Sequence, residues 1–147
     1  MTDERTVLIS RTFEAPREQV FRAWTEPEEI ARWYGPDHME APRERINVDL
    51  RLGGRWELTM VRRDGGGEFS IGYEIVELSP PELLVLRSDP MPEMGMDEGT
   101  VVRIELHDHG ERTRLTLSDG PLPLPARDGA EAGWSAALEK LADQLGG

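Results

Sequence analysis

The sequence predicts one α+β domain, residues 1–147, in which a curved antiparallel sheet of seven strands wraps around a long C-terminal helix. Three observations predict it. The last stretch, PARDGAEAGWSAALEKLADQL, carries Trp134, Leu138, Leu141 and Leu145 at spacings of four, three and four, one apolar stripe on an α-helix. Most of what precedes it alternates apolar and polar residues with period two, the habit of antiparallel strands that bury one face and wet the other. No repeat and no Pro/Gly/Ser linker divides the chain, and 147 residues is an ordinary length for a single domain.

Each element follows from its residues. In the first strand, Thr6 to Phe13, the residues Val7, Ile9 and Phe13 share one parity, and Arg11 shares it too. Pro16 suits the first turn of a helix, where its missing N–H costs nothing, and Val20, Phe21 and Trp24 then fall on one face. Thr25 with Glu28 reads as a capping box, and Pro27 opens a second short helix carrying Ile30, Trp33 and Tyr34. Gly35-Pro36 stops it, so two short helices lie between strands one and two. Arg45 to Leu50 is the second strand, and Gly53-Gly54 turns into the third, Arg55 to Arg62. Asp64-Gly65-Gly66-Gly67 is a hairpin turn whose glycines supply positive φ. Phe69, Ile71, Tyr73 and Ile75 mark the fourth strand; Leu83 to Arg87, Val102 to Leu106, and the segment of Leu115 and Leu117 make the rest. His107-Asp108-His109-Gly110 reads as the last turn between strands. Asp128 with Glu131 reads as the N-terminal cap of the final helix, and Gly146 as its end. Ser88 to Gly99 has no strand pattern, holds three of the six methionines, and is long for a connection.

Composition narrows the function. A formal charge of −12 disfavours nucleic acid and anionic membrane, which need basic surface. With no cysteine there is no disulfide scaffold and no thiolate chemistry. No signal peptide and no membrane-length apolar run is evident, so a cytoplasmic protein is the expectation.

Several blocks resemble one family. FEAPREQVFRAWTEPEEIARWYGP at residues 13–36 is similar to the opening of the heat-shock-protein-90 ATPase activator homologue domain, with Pro16, Trp24, Pro27, Trp33 and Gly35-Pro36 at the family's spacing. DLRLGGRWELTMV at 49–61, GYEIVELSPP at 72–81, TRLTLSDG at 113–120 and Gly133-Trp134 extend the likeness over nearly the whole chain. The resemblance implies the helix-grip fold of the START-like, birch-pollen-allergen-like superfamily. That superfamily spans lipid and sterol carriers, aromatic cyclases, self-sacrificing resistance proteins and co-chaperone domains, so it implies a choice of functions rather than one.

Parity points Trp56, Leu58, Met60, Phe69, Ile71, Tyr73, Val102, Ile104, Leu115 and Leu117 inward, with Trp134 and Leu138 facing them from the helix. Either these residues form a packed core or they surround space for a ligand. Tyr73 and Arg11 are the candidate polar handles, and Trp24 and Trp33 read as packing anchors. His107-x-His109 with a distant His38 completes no ligand set, Gly65 to Gly67 is no phosphate loop, and Glu57, Glu74 and Ser70 fall on the wet face. No metal and no cofactor is assigned. The leading expectation is a binding module for an apolar or aromatic small molecule, entered near the Ser88–Gly99 loop, as a monomer or homodimer. A cyclase- or hydrolase-like enzyme using the same interior is the alternative, and a co-chaperone-type interaction protein the third.

Overall fold

The computed structural model describes residues 5–36, 38–94 and 97–146. The chain runs β1 (Val7–Phe13), α1 (Arg17–Thr25), α2 (Pro27–Trp33), β2 (Met39–Glu40), β3 (Ile46–Val48), β4 (Arg55–Arg62), β5 (Glu68–Ser79), β6 (Leu83–Ser88), β7 (Val101–His109), β8 (Arg112–Gly120) and α3 (Leu124–Gln144). One antiparallel sheet runs in the order β1-β8-β7-β6-β5-β4. Beyond β4 lie two short pieces on the same edge: β3 pairs with Trp56 to Leu58, and β2 with Val61 and Arg62. Together they fill the seventh position, interrupted by Ala41, Pro42 and a 3₁₀ turn at Arg43–Arg45. Proline at 42 cannot donate to a ladder, so the break falls where the sequence puts it.

The sheet curls around α3. In β5 the register against β6 shifts between Ile75 and Glu77, a bulge that bends a twelve-residue strand. The concave face carries Trp56, Leu58 and Met60 from β4, Tyr73 and Ile75 from β5, Leu84 and Leu86 from β6, Val102, Ile104 and Leu106 from β7, and Leu115 and Leu117 from β8, all buried. From α3, Trp134, Ala137, Leu138, Leu141 and Ala142 close on them. The opposite face is polar and laced with cross-strand pairs such as Arg87–Glu74 and Arg55–Asp89. Gly72 leaves the latter pair its room: a side chain there would meet Arg55 and Asp89.

The helix ends differ from expectation in two places. Asp128 and Glu131 do not cap α3; both carboxylates pair with Arg127. The helix starts earlier, after Pro123 and through Pro125, because proline needs no hydrogen-bond partner in a first turn. Likewise the Thr25 hydroxyl donates back to the Phe21 carbonyl inside α1 instead of capping α2, whose N-cap is Glu26. Gly146 does end α3, at φ 89°, and β7 continues through His109, so the last hairpin turns at Gly110. Among the described residues, no helix is long and apolar enough to cross a membrane.

Candidate functional site

The chemistry-bearing residues gather where α1, α2, α3 and the sheet meet. All four tryptophans and both tyrosines of the chain form one connected cluster. Trp24 stacks near Trp33 and Trp134, with ring centroids 4.7 and 5.8 Å apart. Tyr34 touches Trp33, Trp56 and Trp134, and Trp56 touches Tyr73. Two indoles are tied to main chain: Trp33 Nε1 donates to the Ala23 carbonyl and Trp56 Nε1 to the Trp24 carbonyl. These bonds join the short helices to each other and to β4. They make Trp24 and Trp33 packing anchors, as their spacing suggests.

Beside this cluster lies a recess of about 160 Å³. Its walls come from Tyr34 and Gly35 after α2, Met60 and Ile71 on adjacent strands, and Tyr73 deeper in β5. From α3, Ala130, Gly133, Trp134 and Ala137 share one helix face at spacings of three, one and three. The half-exposed members Pro36, Ile71, Ala130 and Gly133 form the mouth. Gly133 is open: a β-carbon there would meet nothing within 4 Å. Its lack of a side chain therefore serves space and not close contact with the sheet. Gly35, at φ 100°, has a conformation that a side chain would strain, and it sits against Met60.

One charged group enters the recess. Asp119 is 7% exposed, and its Oδ2 accepts a hydrogen bond of 2.9 Å from Trp134 Nε1. Its Oδ1 is buried with no hydrogen-bond partner among the described residues. Burial raises the carboxyl pKa, while the Trp134 indole and the Thr100 hydroxyl hold it back. Burial also raises both phenols, Tyr34 and Tyr73, and the Asp119 charge adds to that. Both phenols are thus neutral across the physiological range, and Asp119 is the group here that can carry charge.

Asp119 was legible and missed. It lies two residues beyond Leu117 on the parity that points Leu115 and Leu117 inward, so the same alternation aims it at the interior. Tyr34 gives no such signal, because it follows Trp33 at the end of an amphipathic helix and continues its apolar run.

Of the positions expected to face a ligand, Met60, Ile71, Tyr73 and Trp134 line the recess. Trp56, Leu58, Val102, Ile104 and Leu138 are buried in the core, and Phe69 is half-buried against it. Arg11 sits at the rim, where Nη1 pairs with Glu139 of α3 at 2.7 Å, with the two side chains 31% and 65% exposed. None of the described residues of the Ser88–Gly99 loop lines the recess. That loop instead packs Met91 against Val7 and Leu122 and pairs Asp89 with Arg55 on the opposite face of the sheet; Gly95 and Met96 lie outside the described residues. No group of three or more His, Cys, Asp or Glu among the described residues could hold a metal ion.

A curled antiparallel sheet of seven positions closed on one long helix, with two short helices between its first two strands, is the START-like helix-grip class. The chain belongs to the family of activator of Hsp90 ATPase homolog 1-like proteins, whose model matches residues 14–146. Solved structures agree on the fold. A protein from Chromobacterium violaceum shares 23% identity over 95% of this chain and 96% of its own, with a TM-score of 0.83. One from Arthrobacter aurescens shares 22% over 99% and 89%, with a TM-score of 0.84. An AHSA1 protein from Silicibacter pomeroyi shares 23% over 95% and 96%, with a TM-score of 0.79. No curated protein matches the sequence.

Proposed function

We propose that the chain is a small-molecule binding module that holds an apolar or aromatic ligand between the sheet and the C-terminal helix. The observation that carries this reading is the recess at the seam of α3, β4 and β5, lined mostly by apolar residues with Tyr34, Tyr73 and Trp134 among them, and by glycine at position 133. Pockets of this kind are mostly apolar with a few placed polar groups, and Asp119, Tyr34 and Tyr73 match that description. The volume limits the occupant. About 160 Å³ is well below the roughly 300–1,000 Å³ of drug-sized sites and close to the engineered cavity of about 150 Å³ that takes a benzene ring. The expected ligand is therefore one ring, not a fatty acid or a multi-ring polyketide.

Calorimetric titration with a size-graded panel tests this: a single-ring aromatic, a flavonoid and a fatty acid. The single ring should bind and the larger molecules should not. Failure of every member below millimolar concentration would end the reading and favour a surface-acting protein, the co-chaperone-type alternative. A second reading, a cyclase- or hydrolase-like enzyme in the same recess, is favoured by one specific observation: a buried carboxyl of raised pKa converges with two phenols, the kind of perturbed group that acid–base chemistry uses.

A further inference from the structure

We infer that the ligand of this recess is a small organic cation: a single-ring molecule whose protonated amine meets the Asp119 carboxylate while its ring lies among Tyr34, Tyr73 and Trp134. This deepens the binding reading above and rests on it. The first support is the state of Asp119. A buried carboxylate is stable only when it is paired or fully hydrogen-bonded. Asp119 accepts from Trp134 at Oδ2 and has the Thr100 hydroxyl beside it, while Oδ1 has no hydrogen-bond partner and no ion pair reaches the carboxylate among the described residues. The unmet need is a donor carrying positive charge, which no described residue is shown to supply at this place.

The second support is what shares the recess with that carboxylate. Tyr34, Tyr73 and Trp134 line the same recess, and the faces of such rings attract ammonium groups, most strongly when water is excluded. The two phenols are neutral, so neither contributes a competing anion. The third support is the field of the whole chain. At a formal charge of −12, the protein concentrates cations near its surface and repels anionic ligands. Size then selects among cations, because the recess takes one ring with a short arm. A neutral alcohol would satisfy Oδ1 but would leave the carboxylate charge buried and uncompensated.

The groups facing Asp119 come from each element packed against it. Its strand neighbours in register are Val7 on β1 and Val102 on β7, both neutral. Trp134 faces it from α3, Thr100 from the start of β7, Tyr34 from the end of α2 and Tyr73 from β5. A pH response of binding above the ordinary carboxyl value of 3.8 therefore belongs to Asp119.

The experiment compares three probes of one size on the intact chain by calorimetry: benzylamine, protonated at neutral pH, benzyl alcohol and toluene. Benzylamine should bind about tenfold or more tighter than toluene, the scale of one charge-assisted hydrogen bond. Asp119→Asn should erase that advantage and leave toluene binding within about twofold, since the amide keeps the shape. Acidification to about pH 4 should weaken benzylamine and not toluene. If the three probes bind alike, or benzylamine binds worst, the cation inference is overturned while the binding reading stands. If none binds, both fall. Should Asp119→Asn fail to fold, NMR titration of the wild-type Asp119 carboxyl decides the matter: saturating benzylamine must lower its pKa, and an unchanged value overturns the inference.

Discussion

Gly133→Ala separates stability from binding in one substitution. Glycine in a helix interior is about 0.8–1.0 kcal/mol less favourable than alanine, partly because its unfolded chain has more freedom to lose. The new methyl would meet no heavy atom within 4 Å, so no clash offsets the gain. With an unfolding entropy of ~2.1 cal/mol/K per residue, a chain of 147 residues should gain about 3 °C in Tm. Gly129, in the same helix, also faces open space but lies outside the recess, so Gly129→Ala is the matched control. Both variants should be stabilised alike in calorimetric melts. Only Gly133→Ala should weaken single-ring ligands, because only its methyl projects into the recess. A Gly133→Ala protein less stable than wild type would mean that the space is filled, and the reasoning from an open helix face would be wrong.

Two further outcomes follow from the core and from Asp119. Leu138 is 1% exposed and stands in the centre of the α3 stripe, so Leu138→Ala should cost about 2–5 kcal/mol in urea melts; a loss below about 1 kcal/mol would mean the site already borders a void. Burial raises the Asp119 pKa, so the folded chain keeps this proton after the unfolded chain has released it. Stability from this group is complete below the ordinary value of 3.8 and is lost as pH rises through the folded pKa. Asp119→Asn has no such loss, and its stability relative to wild type should therefore climb as pH rises above the ordinary value of 3.8; a flat difference would show that the carboxyl is well solvated.

The fold was legible because two periods dominate the chain. Period two in β4, β5, β7 and β8 and the stripe from Trp134 to Leu145 leave few arrangements open, and the glycine turns at 53, 65 and 110 mark where strands end. The helix starts were less legible. A Thr-x-x-Glu pattern at Thr25 and an acid pair at Asp128 and Glu131 look like caps locally, but the hydroxyl found a carbonyl in its own helix and the acids found Arg127. In both cases a different local partner, one to four residues away, took the group that would have capped. The site was half legible. Parity identifies which side chains point inward, yet it cannot distinguish Leu58, packed solid, from Met60 at the wall of a space. That difference depends on how far the segment after α2 stands off from α3. It also depends on where a glycine falls on the helix, and no two-letter apolar pattern encodes that distance.

The clustering of every indole and phenol at one junction makes this protein an unusual optical object. Neighbouring rings in the chain from Trp33 to Tyr73 lie 4.7 to 5.9 Å apart, close enough for their excited states to couple. Emission and near-ultraviolet dichroism then report one composite chromophore and not six separate ones. A molecule touching Trp134 would perturb the whole signal. By contrast β6, β7, β8 and β1 contain neither tryptophan nor tyrosine and add nothing to indole or phenol signals. A melt followed by light therefore times the parting of the helices from β4 and β5. The far half of the sheet can be followed only through its amide protons.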